Sequence, residues 1–361
     1  AAIGSYMVTM DETLGEDISV WNELMKFLEL ILLMYIVYMV NVIIHEGGHL
    51  IFGLMTGYKF NSFRIFSVIL IKQNGKLKIK NISLAGTGGQ CLMSPPELID
   101  GKMPYVLYNL GGVILNVITS LIFIVIYLIS LWKLLSLAMI MSAIMGFASA
   151  VVNGIPMKVG DINNDGYNAV QLGSDKDALK ALWVQLKMNG ALAEGIGIRE
   201  MPEEWFESID GKNDNPMITS IKVFYCNRLM AMHKFEQTKE EIKKVLESNM
   251  VLVGVYRYLL ICDYIYCELI DGNIIEAEEF YTKDLQKFMK SMKKFPAILR
   301  TKYTYELLHN KDSKQAEKLR TLFNIMSEKY PYTSDIEAEN ELMDIAKSIY
   351  DGVMDNKINK K

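Results

Sequence analysis

The residues best suited to chemistry in this sequence are His45, Glu46 and His49, which form the pattern HExxH. On a helix this spacing places the two imidazoles on one face, where both can bind a single Zn²⁺, and it lets the glutamate activate a water. The motif follows an apolar run, residues 27–44, in which Glu29 is the single charged residue. Ionisable groups at membrane depth are costly and mark functional sites, so the sequence predicts a metal site in a membrane helix.

A catalytic zinc needs a third protein ligand, usually a histidine or a carboxylate. The two remaining histidines, His233 and His309, belong to the distant polar half of the chain. Asp161 and Asp165 are the carboxylates that follow the last apolar segment most closely. Both are therefore candidates for the third ligand.

The same two aspartates also resemble the beginning of an EF-hand calcium loop, Asp-x-Asn-x-Asp-Gly. Such a loop requires a glutamate at its twelfth position, where this sequence has Leu172. It also requires a preceding soluble helix, whereas Pro156 and an apolar segment precede these residues. The calcium interpretation is therefore the weaker one.

Three apolar segments are long enough to cross a bilayer, at about residues 24–55, 105–131 and 134–152. The segment before the first span, residues 1–23, is acidic, whereas the loop after it is rich in lysine. Because basic loops remain cytosolic, we expect the N-terminus outside and both the loop and the C-terminal half inside the cell. The chain is expected to be an integral protein of a bacterial cell membrane.

The loop between the first two spans is expected to contain a β-hairpin at about residues 63–84. Its two strands, 63–71 and 76–84, are joined by Asn74 and Gly75, which are typical of a tight hairpin turn. A glycine-rich stretch follows; it contains Gly86, Gly88 and Gly89. Bare glycine backbone allows close approach of another chain, so these glycines are candidate substrate contacts.

The apolar periodicity of the C-terminal half predicts a series of amphipathic helices. Two of them begin alike, and their alanines, Ala277 and Ala316, are separated by somewhat more than one tetratricopeptide unit. We expect stacked helical hairpins that bind a partner protein. The predicted helices are 176–191, 216–232, 235–248, 250–270, 273–291, 295–309, 312–329 and 334–351.

Several short motifs, taken in order, resemble the site-2 protease family of intramembrane zinc metalloproteases. These are HEGGH in the first span, Gly112 to Asn116 in the second, and Asn153 with Pro156 followed by an Asp-Gly step after the third. The resemblance covers about residues 24–170. It implies a three-span catalytic core whose intervening loop helps to hold an extended substrate.

The resemblance implies His45 and His49 as ligands of one Zn²⁺ per chain, with Glu46 as the general base. The family's third ligand is the aspartate of its Asp-Gly step, which favours Asp165 because Asp161 lacks the glycine. The spacing from Asn153, however, leads to Asp161, which therefore remains an alternative.

A second departure lies in the second span, where Val113 replaces a proline that the family usually has. Asn116 and Asn153 are expected to steady the oxyanion or the substrate backbone. Together these features predict a mainly α-helical fold with three parts. They are an extracytoplasmic segment at 1–23, a membrane-embedded metalloprotease core at 24–170 with a small β-hairpin, and a cytosolic tetratricopeptide-like domain at 171–361.

The expected function is hydrolysis of a peptide bond in or near the transmembrane segment of a membrane-anchored protein or peptide. Regulated intramembrane proteolysis and the processing of signal peptides or precursors both fit. An alternative is an inactive membrane scaffold that recruits partners through its C-terminal helices. A metal transporter is disfavoured because the second and third spans carry essentially no ionisable residues, and the net charge of −4 gives no reason to expect nucleic acid.

Overall fold

The computed structural model of the chain describes residues 20–82, 88–159, 162–207 and 215–358. Some sequence predictions fall on residues outside these ranges: most of the segment 1–23, the end of the predicted hairpin near residue 84, Gly86 and Asp161. The chain divides into two compact units. The first comprises Ala1–Gly57, Pro104–Lys158 and Asn163–Gln171; the second comprises Tyr58–Met103, Val159–Ile162 and Leu172–Lys361.

The first unit is built on three long apolar helices. They are α1 (Val20–Met55), α2 (Val106–Ile129) and α3 (Lys133–Gly154), and each is long and apolar enough to cross a membrane. The helices coincide with the three predicted spans to within a few residues. A short helix, α4 (Asp165–Gln171), returns the chain to this bundle after the two-residue strands β5 (Lys158–Val159) and β6 (Ile162–Asn163).

The bundle buries polar and small residues and exposes apolar ones, which is the reverse of the arrangement in a water-soluble protein. The buried residues of α2 are polar, small or both, with one tyrosine: Tyr108, Asn109, Gly111, Gly112, Asn116 and Ser120. Its exposed residues include Leu121, Ile122 and Val125. Helices in lipid pack through small and polar residues because an apolar exterior already suits the hydrocarbon. The chain is therefore an integral membrane protein.

The second unit begins with a four-stranded antiparallel sheet in the order β3-β2-β1-β4. The strands are β1 (Lys59–Ile65), β2 (Val68–Gln73), β3 (Lys76–Asn81) and β4 (Gly89–Ser94). The predicted turn is confirmed: Asn74 and Gly75 have φ of 50° and 74° and connect β2 to β3.

The predicted first strand, residues 63–71, is wrong. It breaks at Phe66, which has a φ of 51°, so that β1 and β2 form a second hairpin. A phenylalanine at positive φ is unusual, and nothing local in the sequence indicates it. Strand β4 was not predicted either; Gly88 and Gly89 were expected only as candidate substrate contacts.

The remainder of the second unit is helical. Its helices are α5 (Lys176–Ala193), α6 (Pro216–Ala231), α7 (Phe235–Glu247), α8 (Gly254–Ile270), α9 (Ile274–Phe280), α10 (Lys283–Ser291), α11 (Pro296–Thr304), α12 (Ser313–Ser327) and α13 (Thr333–Ile358), with a π-helical turn at Tyr305–His309. Seven of the eight predicted helices correspond to single helices, whereas residues 273–291 form two, α9 and α10.

The sheet and the helices of the second unit share one core. Ile69 and Ile71 of β2 are buried in the same apolar cluster as Tyr266, Leu299 and Phe323. The sheet therefore groups with the C-terminal helices and not with the membrane helices, although residues 24–170 were predicted as one domain. The boundary at residue 170 and the tetratricopeptide-like stacking both remain predictions.

Candidate metal site

The two histidines of the HExxH motif face each other on one side of α1. Because they are four residues apart on a helix, their rings lie one above the other, with centroids 4.9 Å apart. Their Nε2 atoms are 3.2 Å apart. Both side chains are largely buried, with 12% and 11% of their surface exposed.

Asp165, the first residue of α4, completes this group. Its Oδ2 atom is 3.1 Å from Nε2 of His45 and 3.5 Å from Nε2 of His49. The three ligand atoms lie within 4.8 Å of one another. Two imidazoles and one carboxylate are a donor set that suits a catalytic zinc, because three protein ligands leave one position for water or substrate.

The electrostatics of Asp165 suit a metal ligand. Burial by itself raises the pKa of this carboxyl group, but hydrogen bonds and charges from His45 and His49 outweigh burial and lower the pKa to about 2. The carboxylate is therefore ionised, which is the form that binds metal. Among the described residues, no lysine or arginine forms an ion pair with it.

Glycines let the backbones of α1 and α2 meet at the motif. A Cβ atom on Gly111 would lie 2.5 Å from the carbonyl oxygen of Gly48. On the neighbouring Gly112 it would lie 2.6 Å from Cε1 of the His45 ring. Gly48, Gly111 and Gly112 are thus explained by close packing, which places the His45 imidazole against bare backbone.

A further glycine places Asp165. A Cβ atom on Gly166 would overlap the carbonyl oxygen of Gly154 at the end of α3. The start of α4 can approach α3 only because this position has no side chain. This close approach gives the Asp-Gly step a physical role, whereas Asp161 lies outside the described residues.

The Nδ1 atom of each histidine has a partner on the side away from the ligand group. Nδ1 of His49 is 2.8 Å from the carbonyl oxygen of Tyr108. Because a carbonyl oxygen can only accept, Nδ1 carries a proton, and Nε2 is the atom that offers a lone pair when the neutral ring binds a metal.

The corresponding partner of His45 is the amide of Asn116. This fully buried side chain is 3.2 Å from Nδ1 of His45 and 2.9 Å from Oγ of Ser149. As drawn, its amide nitrogen faces the ring and its Oδ1 atom is buried without a partner. Rotating the amide by 180° exchanges the two atoms and lets Oδ1 accept from Nδ1–H.

The remaining predicted site residues lie as follows. Glu46 is buried on α1 between the two histidines. Asn153 donates to the carbonyl oxygen of Ser149 in its own helix, at 2.9 Å. Gly88 and Gly89 are at the start of β4 in the second unit. The roles proposed for these residues from the sequence stay predictions.

Tyr108 and Ser149 were not among the site residues predicted from the sequence. Tyr108 acts through its backbone carbonyl, for which no side-chain pattern exists. Ser149 lies four residues before Asn153, so a helical projection of α3 places both on one face. That projection could have suggested a polar face turned toward the metal site.

The fold and this site together define a class: a membrane protein with a histidine–histidine–aspartate site inside its helical bundle. Comparison with protein families gives a match to peptidase family M50 over residues 33–329. The chain belongs to this family, the site-2 proteases, which are zinc-dependent membrane metalloproteases. The match includes α1 from residue 33 onward, all of α2 and α3, and most of the helical second unit. No curated protein and no solved structure matches the chain significantly.

Proposed function

We propose that this chain is an active intramembrane zinc endopeptidase that hydrolyses a peptide bond in or near the transmembrane segment of a membrane-anchored substrate. The observation that carries the proposal is the convergence of His45 Nε2, His49 Nε2 and Asp165 Oδ2 within a bundle of membrane helices. Ionisable side chains at membrane depth are costly, so their presence there indicates a function. In this proposal His45, His49 and Asp165 hold one Zn²⁺.

Zinc, when bound, acidifies water and polarises a carbonyl group. The protein residues then supply positioning and proton transfer. Glu46 accepts the proton of the attacking water and delivers it to the nitrogen of the leaving amine. Its buried position excludes bulk water, which strengthens its interaction with the reacting groups.

We assign Asn116 a positioning role in place of the oxyanion role suggested by the sequence. Its amide lies behind His45, with Nδ1 of the ring on one side and Ser149 on the other. Histidines that bind metal usually donate their second N–H to such a partner, which fixes the ring and raises its basicity. The Tyr108 carbonyl serves His49 in the same way.

The substrate in this proposal is a helix that must unwind before it is cut. Helical carbonyls are bonded internally, so an extended segment needs other partners for its backbone. Edge strands of a sheet provide such partners, and β3 and β4 are the edges of the sheet in the second unit. Gly88 and Gly89 at the start of β4 remain candidates for this contact. The second unit is proposed to face the cytosol, as charge asymmetry predicts.

Metal content of the purified full-length protein tests the proposal. Wild type should contain about one zinc per chain, and His45→Ala, His49→Ala and Asp165→Ala should lose it. Asp161→Ala serves as the matched control and should retain the metal. Loss of zinc with Asp161→Ala and retention with Asp165→Ala would reverse the assignment of the third ligand. Absence of zinc from folded wild type would contradict the proposal and favour an inactive scaffold.

A further inference from the structure

The side chain of Asn164 uses all of its hydrogen-bonding capacity. Its Nδ2 atom donates to the carbonyl oxygens of Val152 and Ile155, each at 2.7 Å. Its Oδ1 atom accepts from the backbone N–H groups of Met157 and Tyr167, at 3.1 Å and 2.9 Å. An asparagine amide offers two donors and one oxygen with two lone pairs, so each of its bonding positions is filled.

The two bonds that Asn164 donates satisfy the end of α3. In a continuous helix the carbonyl oxygen of Val152 would accept from the N–H of residue 156. That residue is Pro156, which has no N–H, and α3 ends at Gly154. The Asn164 side chain supplies the missing donor, and it also donates to Ile155 just beyond the helix end.

The Oδ1 atom of Asn164 caps α4. Tyr167 is the third residue of this helix, and an asparagine that precedes a helix typically accepts from the N–H of its second or third residue. The helix has only seven residues, which is well below the roughly 12–15 that an isolated helix needs in water. Its position is therefore set by contacts with other elements, and Asn164 connects its start to the end of α3.

Asp165, the residue after Asn164, depends on this connection for its position. Its Oδ2 atom is 3.1 Å and 3.5 Å from the Nε2 atoms of His45 and His49. These are the atoms that would bind the metal, so hydrogen bonds between them do not hold the carboxylate once their lone pairs are donated to an ion. Gly166 permits the close approach of α4 to α3 but contributes no side-chain contact. The hydrogen bonds of Asn164 hold the two helices together at this point.

We propose that Asn164 is a positioning residue for the third zinc ligand. Its four hydrogen bonds keep the start of α4 at the end of α3, so that the carboxylate of Asp165 is in place before the metal binds. A ligand that must first be ordered costs conformational entropy, which weakens binding. The inference rests on the proposed function, since it requires that Asp165 binds zinc.

Two variants separate this role from simple helix capping. Asn164→Ala removes all four hydrogen bonds. Asn164→Ser keeps an oxygen that can cap α4 at Tyr167, but it lacks the NH₂ group that donates to Val152 and Ile155. The matched control is Asn168→Ala in the same short helix, because the side-chain oxygen of Asn168 has no hydrogen-bond partner among the described residues.

Zinc affinity of the full chain is measured in detergent by competition with a chelator. Binding of Co²⁺ is measured in parallel, since its visible absorption depends on its coordination geometry. Asn164→Ala and Asn164→Ser should each weaken zinc binding by about 10–100-fold and change the Co²⁺ spectrum, whereas Asn168→Ala should do neither. Thermal unfolding of the metal-free samples shows whether each variant is folded. If Asn164→Ala does not fold, Asn164→Ser decides the question because it retains the cap.

Three results would overturn the inference. Wild-type affinity in Asn164→Ser together with a loss in Asn164→Ala would mean that capping alone explains the loss. Wild-type affinity in both variants would leave the proposed zinc site intact but remove the role of Asn164. An equal loss in Asn168→Ala would indicate a general effect on the packing of α4. A folded wild-type protein that binds no zinc would instead contradict the proposed function itself.

Discussion

The two units each contain a buried cluster of ionisable side chains, and the clusters differ in the source of their positive charge. In the second unit the cation is Arg300, which donates through Nε to Glu339 at 2.8 Å and through Nη2 to Asp263. Its guanidinium also lies 4.9 Å from the ring centroid of Tyr266. Donors and acceptors are matched within the protein.

The cluster of the first unit consists of atoms that offer lone pairs. Two imidazole nitrogens and a carboxylate oxygen converge, and no lysine or arginine among the described residues forms an ion pair with them. When both imidazoles are neutral, this group offers three lone pairs to a metal ion. The structural ion cluster contains a permanently charged arginine, whereas the candidate metal site consists of atoms that can each bind a metal.

The variant with the largest expected effect, Glu46→Gln, distinguishes catalysis from metal binding at the site in the first unit. Glu46→Gln should lower the rate of substrate cleavage by about 10²–10⁴-fold, because the glutamine cannot accept a proton. Zinc content should not change, since Glu46 is not among the ligands. The check is the initial rate against a membrane-anchored substrate, with zinc measured on the same sample. Undiminished cleavage would exclude Glu46 as the general base.

The next effect concerns the stability of the second cluster. Arg300→Ala should lower the free energy of unfolding by about 3–5 kcal/mol, because it leaves buried carboxylates without a counter-charge. The control is Arg320→Ala, whose partner Asp344 is 68% exposed, and its cost should be below about 1 kcal/mol. Thermal unfolding in detergent measures both. Similar losses for the two variants would contradict the structural role given to Arg300.

A third variant tests the close packing around the candidate metal site. Gly112→Ala places a Cβ atom 2.6 Å from the His45 ring and should cost about 1–3 kcal/mol of stability, with weaker zinc binding. Gly47→Ala is the matched control, since its Cβ would meet only Leu115, at 3.9 Å. Zinc titration and unfolding are compared for the two variants. If both bind zinc like wild type, the close contact at Gly112 does not position the ring.

The variant with the smallest expected effect, Asn116→Ala, tests whether Asn116 orients the ring of His45. Asn116→Ala should weaken zinc binding by about 10–100-fold, because His45 loses the group that orients its ring. Asn116→Asp, which keeps an acceptor, should restore much of the affinity. Competition with a zinc chelator gives the affinities. Unchanged affinity together with a raised KM would support the substrate-contact role predicted from the sequence instead.

Much of the local structure follows from the sequence because it depends on short-range spacing. The three spans, the Asn74–Gly75 turn and most helix boundaries rest on apolar periodicity and on residues with special backbone preferences. The sequence of the predicted helix 273–291 also contains the signal that divides it into α9 and α10. Thr282 caps α10 by accepting from the backbone N–H of Leu285, and threonine is a preferred residue at that position.

The errors arise where distant contacts override local preference. Phe66 adopts a positive φ although a continuous strand had been predicted there. In the same way, no strand was predicted at Gly88 and Gly89, but β4 pairs with β1, where Gly89 lies opposite Ile65. Tertiary pairing decided both outcomes.

The sequence by itself determined that a metal could bind in a membrane helix, because the helical repeat alone places His45 and His49 on one face. Only the tertiary structure brought in Asp165, which lies 120 residues after His45. It also turned the Asn116 side chain toward His45, 71 residues away. Both results depend on backbones that approach closely at glycines. Such long-range packing has no local period from which it can be predicted.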